Sequence, residues 1–432
     1  MKRLLTPIAI CVTGAMLTAC SPAALKNESS AVSADSVVVH YADIAEAVYT
    51  DSLTTAQTLR ASIDTLLANP TEANLQAART AWIAARVPYQ QSEVYRFGNP
   101  IVDEWEGKVN AWPLDEGLID YVAADSYGTE SDLNPLYTAN VIASTSLMIG
   151  GVKVDTNQIT PELIADHLQE ADGVEANVAS GYHAIEFLLW GQDLNGTNSG
   201  AGERPATDFD LNNCTNGHCD RRRAYLVAAT DLLISDLEEM ANNWKQGGAA
   251  RVALLEQTPE QGLATILTGM GSLAYGELGG ERTKLGLMLH DPEEEHDCFS
   301  DNTHWSHYYD AKGIKNAYLG EYKRVDGSWV KGASLSNLVA KQDPQLDTEM
   351  KQKLAETEAA AQAMVDAAAK GQTFDVLIAM NNIKGNQLVQ NFVDSLVNET
   401  RTTEDVIHAL KLEGIALEGS DSLDNPSAVF DN

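Results

Sequence analysis

His183 and Glu186 stand three residues apart in SGYHAIEFLLWGQD, residues 180–193, a run that is otherwise apolar and aromatic. Three residues is just under one helical turn, so both side chains leave the same face of a helix. An imidazole and a carboxylate placed this way can satisfy each other as a buried hydrogen-bonded pair. They can equally be half of a metal site of the kind that helical bundles build from inward-facing side chains. Two donors hold no ion firmly, so a metal site here needs further ligands from elsewhere in the chain.

Several segments offer them. PYQQSEVYRFG carries Glu93 and Arg96 on one face, and GELGGERTKLG carries Glu277 and Glu281 with Arg282 as a countercharge. The densest stretch is HDPEEEHDCFSDNTHWSH, residues 290–307, which holds four of the nine histidines, Asp297, Asp301, and a second three-residue pair, Glu293 and His296. A solvated acidic loop would account for the carboxylates but not for so many histidines and aromatics among them. His307 is assigned no role. A zinc protease of the H-E-x-x-H kind needs a second histidine one turn on and a glutamate beside the first to activate water. Here Ala184 follows His183, so a general base would have to come from another segment. No Gly-rich phosphate loop, CxxC pair or G-x-S-x-G elbow is present.

The elements that must position these residues read as helices. Apolar residues recur at Ile44, Val48, Leu59, Ile63, Leu66 and Leu67 in one stripe. Asn69 and Pro70 are expected to cap and open the next helix, with Glu72 at a capping-box position and a bend near Pro88. Further amphipathic runs lie in RRRAYLVAATDLLISDLEEMANNWK, in PEQGLATILTGMGSLAYGELGGERTKLGLML, and in a closing pair, EMKQKLAETEAAAQAMVDAAAKG and TFDVLIAMNNIKGNQLVQNFVDSLVNET. Strand signals are confined to VVVHY and to YKRVDGSWVK, the latter a hairpin around Asp326-Gly327. The fold class is therefore all-α. We expect a helical-bundle domain over 37–200, a polar connection over 201–220 and a second bundle over 221–432, two bundles of similar size that suggest duplication.

Residues 1–19 combine Lys2 and Arg3 with an apolar stretch too short to span a bilayer comfortably. They end in LTAC, whose Cys20 sits where a bacterial lipobox places its lipidated cysteine. Residues 20–36 then form a small, polar tether. Ser21, not aspartate, follows the cysteine, which favours the outer membrane, with the folded part facing the periplasm or the cell surface. Loss of residues 1–19 removes Lys2 and Arg3 and no acid, so the formal charge of −33 becomes −35. Such acidity argues against nucleic-acid partners and is compatible with collecting cations. CTNGHC places Cys214 and Cys219 around an Asn-Gly turn, as a small-loop disulfide would; zinc capture by that pair with His218 is the alternative. Cys298 is left over.

GYHAIEFLLWGQD resembles the GxHxxE motif of the imelysin family, supplied by Gly181, His183 and Glu186. CTNGHCDRRRAYL, GERTKLGLMLHDPEEEHDCFSDNTHWS and RVPYQQSEVYRFG resemble the iron-regulated lipoprotein branch of that family. The resemblance implies two helical bundles with the motif near a groove between them, outer-membrane attachment, and a link to components of iron uptake. It implies a metal ion or iron-bearing ligand as partner, with iron the first choice and zinc the second. His183 and Glu186 carry over as ligands, Glu93 and Glu281 are offered to complete the set, and Arg96, Arg282, Glu293 and His296 are expected to line the site. The family's peptidase label supplies a second reading, a metallopeptidase. A third is an interaction protein in which the motif is a structural hydrogen bond.

Overall fold

Helix α1 runs from Ala34 to Ala68 and is opened by a capping box between Ser33 and Ser36. The computed structural model describes residues 32–430, so Cys20 and most of the expected tether lie outside the described residues. VVVHY is not a strand. Val37, Val38, Tyr41, Ile44, Ala45 and Val48 fall at helical spacing and are all buried on one side of α1. The next helix, α2 (Glu72–Gln90), begins two residues later than expected, because Thr71 and not Asn69 caps it, accepting from the Asn74 amide at 3.2 Å. Glu72 is thereby free to accept from the Ala206 amide at 2.8 Å.

Loops and short helices fill the chain between α2 and the motif helix, α3 (Gly181–Trp190). They include a hairpin of β1 (Ser146–Ile149) and β2 (Val152–Asp155), turned by Gly150 and Gly151, both at positive φ. The second half follows with α4 (Cys219–Trp244) and α5 (Pro259–Ser272). From the end of α5 the chain winds without a break through a π-helical stretch, Leu273–Lys284, into Leu285–Leu289. Helices α6 (Thr303–Leu319), α7 (Pro344–Ala368) and α8 (Ile383–Ala409) complete the long elements. The expected hairpin at Asp326-Gly327 is present, with β3 (Glu321–Lys323) antiparallel to β4 (Trp329–Lys331).

Helix α1 packs on α2 but also on α4 and α5, and α2 packs on both α3 and α6. Helices α7 and α8 form the expected antiparallel pair, α8 also covering the π-helical stretch. Long helices from either side of 201–220 thus interleave, and residues 32–430 fall into one compact unit. Cys214 is disulfide-bonded to Cys219, the first residue of α4. Among the described residues no helix is long and apolar enough to cross a membrane.

Candidate functional site

All ten residues of α3 are buried, so the helix is apolar all round except for His183 and Glu186. Gly181, at φ +77°, lets the chain enter the helix against Val109: any Cβ there would collide with the Val109 carbonyl, which accepts from the Tyr182 amide at 2.7 Å. At the other end Arg79 donates to the last-turn carbonyl of Leu189 at 3.0 and 3.1 Å and to the carbonyl of Arg204 at 3.0 Å. The helix is held rigidly at both ends.

His183 Nδ1 lies 3.0 Å from Glu186 Oε2, so the two side chains form a buried hydrogen-bonded pair. Glu186 is also held from the far side of the chain: the Ser300 amide and hydroxyl donate to Oε1 at 2.9 and 2.7 Å. Both carboxylate oxygens are therefore engaged. His183 Nε2, by contrast, is buried with no hydrogen-bond partner among the described residues, and so are both ring nitrogens of His296. The two imidazoles meet edge to face with centroids 4.8 Å apart. One ligand atom each from His183, His296 and Asp297 falls within 4.8 Å of the others.

Asp297 lies in the loop before α6 and is fixed by the first residues of that helix and by α2. Its Oδ1 accepts from Arg86 at 2.8 Å, Asn302 donates to Oδ2 at 2.9 Å, and Ser306 donates to the same oxygen. The Thr303 hydroxyl accepts from the Asp297 amide at 2.8 Å. Arg86, on α2, also donates to Asn110 at 2.6 Å. Three segments distant in sequence thus meet: α3, the 295–303 loop, and α2.

The charge states follow from burial. Desolvation, with the Arg86 guanidinium nearby, pushes the His183 imidazole down to about 3, and burial with Arg282 pushes His296 down as well. Both rings are neutral at physiological pH and able to offer a lone pair. Burial would raise Asp297, but the Arg86 guanidinium, His183 and the hydrogen bonds from Ser306 and Asn302 together outweigh it and hold the carboxyl below its usual range. Burial and the charge of Asp297 raise Glu186.

Glu93 and Arg282 are brought together in a second buried network. Arg282 reaches Glu93 at 2.7 Å, Glu277 at 2.8 Å and Asp310 at 3.3 Å, and Arg96 adds contacts to Asp103 at 2.9 Å and Glu277 at 3.4 Å. Glu106, beside them, is pushed up to about 7 by burial and by Glu93. Glu281 is not part of this network. It is exposed and lines a surface cavity with Glu294 and Asp421. Bonding from residue i to i+5 in the π-helical stretch is the physical reason: it aligns Glu277 with Arg282, five residues on, and turns Glu281 outward. The Glu293/His296 pair does not form either, for Glu293 lines a surface cavity while His296 turns into the core.

That cavity, of about 730 Å³, adjoins the imidazoles and is lined by Trp112, Asp115, Glu116, Asp193, Glu293 and Cys298, among others. Trp112 forms the partition, its ring packed edge-on to His296 at 5.6 Å. Burial, with Glu186 nearby, raises the Cys298 thiol, which is therefore unreactive. His307 is stacked on Phe392, with Thr283 3.5 Å from its Nδ1.

The sequence profile described as Imelysin matches residues 45–403. Iron-regulated protein A of Synechococcus elongatus is 34% identical over 77 residues, which cover 18% of this chain and 22% of that protein. The structure is similar to that of an iron-regulated protein A precursor from Parabacteroides distasonis ATCC 8503, with a TM-score of 0.63 at 18% identity over 87% of this chain and 95% of the other. It is also similar to an imelysin-like protein from Psychrobacter arcticum 273-4, with a TM-score of 0.55 at 17% identity over 88% and 98%. With the profile spanning most of its length, this chain belongs to the imelysin family.

Proposed function

We propose that this protein is a cation-capture lipoprotein that takes iron, or an iron-bearing ligand, as cargo on the outer membrane for periplasmic uptake. The observation that carries the reading is the convergence of one ligand atom each from His183, His296 and an ionised Asp297, where His183 Nε2 and both His296 nitrogens have no hydrogen-bond partner among the described residues. Buried polar atoms are nearly always bonded, so orphaned ones within one cluster of potential ligands fit an ion that the fold is built to accept. Two imidazoles and one carboxylate are also the donor composition of non-haem ferrous sites. Glu186 then acts through His183. Its carboxylate fixes which ring nitrogen points at the cargo, as outer-shell carboxylates do for metal-bound histidines.

The acidic cavity beside Trp112 supports an approach route for a cation. Membrane attachment rests on the lipobox at Cys20, and the iron preference rests on the donor set and on the name of the Synechococcus relative. Peptide hydrolysis draws less support, since His183, His296 and Asp297 are each at most 1% exposed and a peptide bond could reach them only after large opening.

Calorimetric titration of the metal-stripped mature chain with ferrous iron, and separately with zinc, tests the reading. One ion should bind per chain, and His183→Ala/His296→Ala should lose that binding while remaining folded by circular dichroism. Unchanged affinity in the folded double variant would place the cargo elsewhere.

A further inference from the structure

Asp193, Asp301 and Asp375 come from three separate segments, and one carboxylate oxygen of each lies within 4.8 Å of the other two. Asp193 follows α3, Asp301 lies in the loop before α6, and Asp375 sits in the first turn of the short helix Phe374–Ile378. Asp375 is fully buried, and neither of its oxygens has a hydrogen-bond partner among the described residues. The Thr373 hydroxyl and the Val376 amide are near enough to influence it, yet neither meets it in bonding geometry. Asp301, 7% exposed, likewise has an unpartnered Oδ1, and Glu295, 1% exposed, an unpartnered Oε1 close by.

No lysine or arginine among the described residues forms an ion pair with any of these four acids, although the other fully buried acid clusters here each hold an arginine. Buried carboxylates this close cannot all be ionised without a compensating cation. Asp193 has one oxygen engaged, Oδ1 accepting from the Asn195 amide and side chain at 2.8 Å. It also lines the cavity of about 730 Å³, which opens the cluster to solvent ions.

We propose that Asp193, Asp301 and Asp375 form a second cation site, for a hard divalent ion of calcium's size, distinct from the imidazole site. An all-carboxylate donor set with no nitrogen suits calcium, magnesium or manganese over zinc or copper. The oxygens are close enough to share a calcium ion, whose Ca–O distances of about 2.3–2.6 Å place opposed ligands up to about 5 Å apart, and calcium accepts irregular carboxylate shells where magnesium demands a near-ideal octahedron. Such an ion would tie the loop after α3 to the helix at Asp375 and to the 295–303 loop, which delivers His296, Asp297 and Ser300. It is a positioning ion for the cargo site and not cargo itself.

Calcium titration of the metal-stripped mature chain, by calorimetry and by thermal melting, separates this proposal from the cargo reading. Calcium should bind one per chain and raise Tm. Asp301→Asn/Asp375→Asn should weaken that binding by about 100-fold, the scale of losing direct oxygen ligands, and abolish the Tm shift. His183→Ala/His296→Ala should retain both. The asparagine variants relieve repulsion and are expected to fold; should the double variant not fold, Asp193→Asn, at a half-buried position, replaces it. Failure of calcium, magnesium and manganese to bind the wild-type chain would overturn the proposal. So would calcium binding that persists in the folded variants, or variants that melt higher with no cation effect in either protein, which would mark a cluster held by shared protons.

Discussion

Glu186 shows how much one side chain's role depends on what reaches it from elsewhere. In the motif it is a candidate ligand equal to His183; in the fold its two oxygens are taken by His183 Nδ1 and by Ser300. Ser300→Ala tests this division of labour. The substitution removes one hydrogen bond and leaves the backbone amide bonded to Glu186, so stability should fall by only about 0.5–1.5 kcal/mol. Metal affinity should fall further in proportion, by about 10–100-fold, because the carboxylate that orients His183 is loosened. A parallel melt and metal titration read the two effects; equal, marginal changes in both would show that Glu186 does not orient the ring. Ser300 could not be found from the sequence, since nothing about a serine 114 residues from its partner marks it.

At the scale of elements, α7 and α8 carry a pH-dependent liability far from the site. Glu399 is buried on α8 facing Thr357 of α7, and burial, partly offset by that threonine, pushes its carboxyl up to about 7 from 4.5. The folded value is the higher one, so the neutral acid is favoured by folding. The penalty for ionising it is nil below 4.5, grows as pH rises through 7, and is complete above that. Glu399→Gln should therefore melt higher than wild type at pH 8.5, by an amount equivalent to about 3 kcal/mol, with the gap closing by pH 4. Superimposable melting profiles for the two proteins across that range would contradict the burial argument. The helices themselves were legible from their apolar stripes, and so were the Asp326-Gly327 hairpin and the disulfide turn. The Gly150-Gly151 hairpin had its signal as well, a glycine pair between short apolar runs, but the surrounding loop chemistry masked it. The π-helical stretch left no such trace, because its winding is chosen by packing against α8 and by the Glu277–Arg282 bond.

For the molecule as a whole, the interleaving of α1 with α2, α4 and α5 sets the cooperativity of unfolding. Helix α1 cannot leave one half without exposing the apolar face it shares with the other. Calorimetry of the mature chain should show one transition whose van't Hoff and calorimetric enthalpies agree. Two resolved transitions would show that the halves on either side of 201–220 fold independently.

Local pattern alone determined the helical class, most helix positions, the hairpin and disulfide turns, and the two motif residues, because periodicity and turn chemistry are written into neighbouring residues. Which side chains share a site was decided by tertiary structure. Packing α2 and the 295–303 loop against α3 brought Arg86, His296, Asp297 and Ser300 to His183, and π-helical winding exchanged Glu281 for Glu277. Contacts between residues more than a hundred positions apart depend on how helices dock, and docking depends on the summed shape of many apolar side chains.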